Sequence, residues 1–419
     1  MIAGVLFACY FLGLVFILQF LVGRGPWGIR PGMVLLLFAG KVLLGCLYGY
    51  IFLTYYGGDD TWMFFRNSLA ASQTLLHQPS VFFSDLLPAR FFAASPDFLS
   101  GIQSWLEHLE PMLMEKWLAS SNLLGQNNYY IDVLFFDFMT FWGPYLLYRL
   151  TTRYFPERQK TILVVAFLIP SLTFWTSGIR AEGLILLFVS IIIYATDQWF
   201  RRRNFLCIPA LVGGLIGFLI FRGQSLIVFL PAFFAWTICR SAPGKSLRRF
   251  AFTYLACGIV FFGSLFFSDS RNLAHPLVQR QSEFLTLHGN TRLPLDRLEP
   301  TFWGFIRLFP QAFCNTFLRP FLWEAKGPLQ LLSALELLGF LCLVFIYLRH
   351  PLRDRMETLR HPLSLFFILF AVSQILLIGF TVPFPGAIVR YKAVPETLLI
   401  MALALGVDWQ RLAVLYKLK

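Results

Sequence analysis

Apolar runs of close to twenty residues recur along this chain, and no other feature restricts its fold so strongly. The stretches 1–22, 129–148, 329–348 and 362–380 each approach the ~20 residues that carry a helix across a ~30 Å hydrocarbon layer. Only 14% of the residues are charged and 57% are hydrophobic, whereas an average soluble protein carries roughly 25% charged residues. Most side chains must therefore face lipid or one another. Without water, every backbone polar group has to be satisfied inside the spanning segment, which leaves helices as the element for runs this long. The expectation is an all-α, polytopic transmembrane helical bundle that forms one membrane domain over 1–419. The first run lacks a basic leading region and exceeds the ~7–15 apolar residues of a signal peptide, so it is read as a span.

About eleven spans fit the pattern: 1–22, 33–56, 129–148, 161–176, 183–199, 205–221, 225–239, 250–267, 329–348, 362–380 and 393–407. Alternate connections then differ sharply in charge. One set holds Arg24 and Arg30; Arg149, Arg153, Arg158 and Lys160; Arg201 to Arg203; Arg240, Lys245, Arg248 and Arg249; Arg349, Arg353, Arg355 and Arg360; and the tail with Arg411, Lys417 and Lys419. Short, basic connections mark the cytoplasmic side. The net charge of +13 is thus a signal of topology rather than of nucleic-acid binding. It implies a multi-pass protein of an inner or plasma membrane, with its N-terminus outside and its C-terminus in the cytoplasm. The other set comprises two long segments, 57–128 and 268–328, and short tips at 177–182, 222–224 and 381–392. Within 57–128, the stretches 61–76 and 98–120 place apolar residues (Trp62, Phe65, Leu69; Trp105, Leu109, Met112) at helical spacing. Such segments lie in the membrane interface. The seven cysteines are scattered without metal or redox spacing and read as small apolar residues.

The non-cytoplasmic segments carry the chemistry. Tyr55-Tyr56-Gly57-Gly58-Asp59-Asp60-Thr61 follows the second span. Its two glycines let the backbone turn tightly and approach a ligand. Its adjacent carboxylates suit general-base work, because like charges push their pKa values apart. They also have the oxygen donors for a divalent cation such as Mg or Mn, which the sequence neither requires nor excludes. The competing reading is structural: Asp60 caps the helix over 61–76 and Asp59 is solvated. Asp132 and Asp137 lie in the third expected span. A carboxylate inside the membrane marks either function or a buried pair with an arginine from a neighbouring helix. Arg180 and Glu182, at the tip between spans 161–176 and 183–199, and Arg222, at the tip between 205–221 and 225–239, belong to arms of about 15–17 residues. Arms of ~22–26 Å leave their tips sunken, where a guanidinium can bind phosphate oxygens bidentately; Arg180 can equally pair with Glu182 or Asp137. Arg390-Tyr391-Lys392 leads into the last span, as a phosphate site or as interfacial anchors. Glu336 and Glu396 add charge inside spans. None of the six histidines has ligand spacing, and His288, in an outer loop, is the one placed for the site.

These features together resemble the GT-C superfamily of integral-membrane glycosyltransferases. The resemblance is carried by Gly57-Gly58-Asp59-Asp60-Thr61, by Phe174-Trp175-Thr176-Ser177-Gly178-Ile179-Arg180-Ala181-Glu182, and by Arg390-Tyr391. Members have many spans and an acidic residue in a first large extracytoplasmic loop with helices lying on the membrane. Here that loop follows the second span, so 1–22 would be an addition. The resemblance implies a sugar donor on polyprenyl phosphate and a glycan, lipid or protein acceptor. It implies that Asp60, or Asp59, accepts the proton of an acceptor hydroxyl. Arg390, with Lys392, Arg180 or Arg222, would stabilise the departing phosphate, with Asp137, Asp132, Glu182 and Tyr391 in support. Two rivals remain open at this point: a polymerase or ligase of lipid-linked polysaccharide, and a lipid or solute transporter without chemistry.

Overall fold

The computed structural model describes residues 2–24, 27–241, 245–267, 271–287 and 291–417; His288 and Lys419 lie outside them. Among the described residues the regular structure is helical, with no β-strand and one isolated bridge between Pro351 and Val407. The chain forms α1 (Ile2–Val22), α2 (Pro31–Thr54), α3 (Asp60–His77), α4 (Pro79–Ser84), α5 (Ala89–Ala94), α6 (Phe98–Gly125) and α7 (Tyr129–Thr140). There follow α8 (Trp142–Tyr154), α9 (Gln159–Leu168), α10 (Pro170–Ser177), α11 (Ala181–Arg202), α12 (Cys207–Arg222), α13 (Leu226–Ser241) and α14 (Ser246–Ser264). The last are α15 (His275–Thr286), α16 (Phe302–Phe313), α17 (Pro328–Arg349), α18 (Arg355–Arg360), α19 (Pro362–Thr381), α20 (Pro385–Leu405) and α21 (Trp409–Lys417).

Among the described residues, six runs are long and apolar enough to cross a membrane: α1, α2, α11, Cys207–Arg240, α17 and α19. Pro156–Leu168 with Pro170–Ser177 adds a seventh if the pair, bent by 47°, is one span. Pro170 explains the bend. It lacks an N–H for the helix ladder, and its ring forces the preceding Ile169 out of the helical region, to ψ 122.

The run Cys207–Arg240 is interrupted by a 3-10 turn at Gly223–Ser225. A straight helix of its 34 residues would be about 51 Å long. Yet Arg240 Nη2 lies 2.6 Å from Asp197 Oδ1, and Asp197 precedes Cys207 by a half-helical segment that reaches only about 25 Å. The run is therefore not straight through Gly223–Ser225.

Two expected boundaries are corrected. The final helix begins at Pro385, a residue suited to a first helical position, so Arg390, Tyr391 and Lys392 sit inside α20 rather than ahead of it. The expected run 129–148 is two helices, α7 and α8, that follow each other closely through Phe141, whose N–H still bonds Asp137 O at 2.9 Å.

The chain divides into two compact units. The first comprises 1–149, 173–195 and 208–223; the second comprises 150–172, 196–207 and 224–419. In the first, α2 packs on α1 and α7, while α3 lies against α6. Trp62 and Phe65 of α3 are buried against Tyr129 of α7, and the α3–α6 seam holds a polar row: Ser72 donates to Ala119 O and Asn122 to Ser68 Oγ at 2.8 Å. In the second, α19 packs on α13, α16 and α20. Its centre is aromatic, with Phe229, Trp236, Phe366 and Phe370 in ring contact. Gln281 Nε2, on α15, ties this unit's loops by donating to Asp296 O and Phe380 O at 2.9 Å each.

Candidate functional site

At the end of α2 the backbone turns through Gly57 (φ 74°) and Gly58 (φ 112°). These are left-handed conformations in which a side chain is strained and glycine is not. Gly58 N–H returns to Phe52 O at 2.8 Å and closes the turn. The next residue, Asp59, is the N-cap of α3: its Oδ1 accepts from Thr61 N at 3.2 Å. The capping expected of Asp60 is thus performed by Asp59, and Asp60 opens the first helical turn, where a carboxylate meets the positive end of the helix.

Arg180 joins the two carboxylates. Its Nη1 lies 3.1 Å from Asp59 Oδ2, and its Nη2 lies 2.6 Å from Asp60 Oδ2. Tyr48, fully buried on α2, donates its hydroxyl to Asp59 Oδ2 at 2.7 Å and receives Arg180 Nη1 at 3.1 Å. The cation shared by this acidic pair is a guanidinium. The side chain of Asp59 is 13% exposed and that of Asp60 is 59% exposed. Asp59 is therefore the anchor, held by a cap, a phenol and an arginine, and Asp60 is the carboxylate that presents an oxygen to solvent.

The turn carrying Arg180 is seated by close packing on α2. A Cβ on Gly45 would lie 2.6 Å from Ser177 O, and one on Gly178 would lie 2.7 Å from the Tyr48 ring. Gly49, one turn from Gly45, lies against the Tyr129 ring, and small residues four apart let helices approach in this way. Tyr129 stacks on Trp62 with ring centroids 4.0 Å apart and shares a 3.0 Å hydrogen bond with Thr61. One turn further in, Lys41 Nζ pairs with Asp137 at 3.1 Å and donates to Thr176 O at 2.7 Å. Both side chains of this pair are buried.

The other expected site residues are distributed as follows. Asp137 belongs to the buried pair with Lys41, a lysine and not an arginine, and is a structural support. Asp132 is buried and accepts from Ser121 Oγ at 2.5 Å. Arg222 reaches Glu182 at 3.2 Å. Arg180 is engaged with Asp59 and Asp60. Arg390, Tyr391 and Lys392 belong to the second unit. There Arg390 Nη2 donates to Tyr391 Oη at 2.8 Å. Lys392 is buried 3.5 Å from Glu396, with Thr316 O 3.4 Å away. Glu336 receives the N–H and hydroxyl of Ser171.

Sequence reasoning missed three residues of the cluster. Tyr48 and Lys41 were legible as polar groups in an apolar helix. Arg66 stands six residues after Asp60, and helical side chains lean toward the N-terminus. Its Nη2 comes so near the glycine turn that a Cβ on Gly58 would lie 3.0 Å from it, and it is exposed. Among the described residues, no group of three or more His, Cys, Asp or Glu gathers in an arrangement for a metal ion. Comparison of the chain with models of protein families, with curated proteins and with solved structures yields no match.

Proposed function

We propose that this chain is a membrane glycosyltransferase of GT-C type that moves a sugar from a polyprenyl-phosphate donor to an acceptor on the non-cytoplasmic face. One observation carries the reading. Two adjacent carboxylates close an apolar helix through a double-glycine turn, and a buried Arg180–Tyr48 pair fixes one of them while the other stays open. A general base needs that arrangement: a carboxylate oriented by its neighbours yet reachable by the hydroxyl it deprotonates.

In this reading Asp60 accepts the proton of the acceptor hydroxyl as that oxygen attacks the anomeric carbon. The bond from that carbon to the donor phosphate breaks, and its electron pair leaves with polyprenyl phosphate. The single displacement inverts the anomeric centre. Charge builds on the leaving phosphate, and a guanidinium stabilises it where it develops. Arg66 takes that role beside the glycine turn. Arg180 acts through Asp59 and Asp60 as a positioning residue. The remaining apolar helices are read as spans too: α7 with α8, the bent α9–α10 pair, both arms of the 207–240 run, α14 and α20. That makes about eleven, with α3 and α6 in the outer interface and the basic ends in the cytoplasm.

The test is a donor panel supplied to the full-length chain in lipid nanodiscs. Polyprenyl-phosphate hexoses and pentoses are offered beside polyprenyl-diphosphate oligosaccharides, and lipid products are read by mass spectrometry. The expected result is release of polyprenyl phosphate from at least one monosaccharide donor. Consumption of the diphosphate oligosaccharides alone would replace this reading with a polymerase or ligase.

A further inference from the structure

A second cluster of charge lies in the second unit. Asp197, on α11, is fully buried and receives three guanidiniums. Arg153 Nη1 pairs with its Oδ2, Arg201 Nε approaches Oδ2 at 3.2 Å, and Arg240 Nη2 approaches Oδ1 at 2.6 Å. The Tyr154 hydroxyl donates to the same Oδ1. An ionised carboxylate offers about four lone-pair sites, and these four donors occupy them. The four charged side chains sum to +2. That surplus is costly in a place this withdrawn from water, because guanidiniums repel one another where screening is weak.

Two observations point to an anion-binding site. Arg240 Nε is buried with no hydrogen-bond partner among the described residues, although a guanidinium N–H is a strong donor. The Arg201 side chain is 41% exposed, so the cluster opens to solvent on one side. The field is felt nearby: burial, then the charge of Arg240, pushes the pKa of His361 down to about 4. The C-terminal ends of α8, α11 and α13 offset part of the surplus, but they give Arg240 Nε no acceptor.

We infer that Arg153, Arg201 and Arg240, organised on Asp197, form a binding site for a phosphate group, as carried by an anionic lipid headgroup. Guanidiniums bind phosphate oxygens through two parallel hydrogen bonds, and a tetrahedral phosphate can engage more than one of them at once. A headgroup monoester bears close to two negative charges and would balance the cluster. The three arginines stand in connections that carry the basic topology signal, where anionic leaflet lipids gather. The inference is independent of the glycosyl-transfer reading, since it uses none of the residues of the carboxylate turn.

The experiment measures thermal stability of the full-length chain in detergent micelles during titration with phosphatidic acid, phosphatidylglycerol, phosphatidylcholine or inorganic phosphate. Saturable stabilisation by phosphatidic acid and not by phosphatidylcholine is expected. Arg201→Gln, at the exposed arm, should weaken it roughly tenfold, as loss of a charged hydrogen bond does; Arg201→Lys should weaken it less, and Arg202→Gln should leave it intact. A full effect from inorganic phosphate supports the site and identifies its ligand as free phosphate; a requirement for the acyl chains supports it as a lipid site. Absence of saturable stabilisation, or equal loss in Arg201→Gln and Arg202→Gln, would overturn the proposal and leave the arginines as caps of three helix ends.

Discussion

Asp59 and Asp60 are neighbours in sequence with opposite surroundings, and the difference assigns their tasks. Three donors converge on Asp59, so its charge is spent on holding the turn; Asp60 keeps an oxygen in solvent. The tight turn before the pair was legible in the sequence, because two glycines at the end of an apolar helix free the backbone to reverse. The pair's internal division was not, because Tyr48 and Arg180 arrive from 11 and 121 residues away. Asp137 shows the same limit. A carboxylate in an apolar helix announces a partner, and only the fold names Lys41. That pair gives a prediction. Lys41→Met leaves Asp137 buried and uncompensated, which should destabilise the chain by about 3–5 kcal/mol, whereas Lys41→Met with Asp137→Leu should recover most of the loss. Unfolding of the purified variants in detergent micelles checks it, and equal stability of single and double variants would contradict the pairing.

Most helices follow from hydrophobic run length alone, because a membrane leaves few alternatives to a helix. Their ends are less legible. The expected start of the last helix at 393 ignores the turn already begun at Pro385, since Arg390 and Lys392 look like the edge of an apolar run while their side chains are satisfied inside it. The closeness of α2 to α7 rests on Gly45 and Gly49, a spacing that was present in the sequence and passed over. At the start of α19, His361 is the N-cap: its Nδ1 accepts from Leu363 N at 3.2 Å, with the rings of Tyr154 and Phe155 against it. Only a neutral imidazole can accept there. With its pKa at about 4 in the fold and near the ordinary ~6.5 when unfolded, the unfolded chain binds more protons between those values. Stability should therefore be full above about pH 6.5 and fall as the pH drops toward 4. Melting temperatures across that range check it, and His361→Asn, which keeps a capping acceptor without the titration, should flatten the slope.

At the scale of the whole molecule, the sequence speaks to the helical, membrane-type class, and its charged clusters are concentrated at helix ends. The glycine–carboxylate turn and Arg66 occupy one such end in the first unit; the Asp197 arginines occupy others in the second. Long-range partners decide which polar groups are engaged within the fold, and these include Arg180 and Lys392. What is left open is Asp60. Its role is tested most directly by glycosyl transfer in nanodiscs by the wild-type chain and by Asp60→Asn, with melting temperature recorded for both. The account predicts that transfer falls by roughly 10²–10⁴-fold while the melting temperature stays within a few degrees. Transfer at the wild-type rate by a folded Asp60→Asn protein would contradict it.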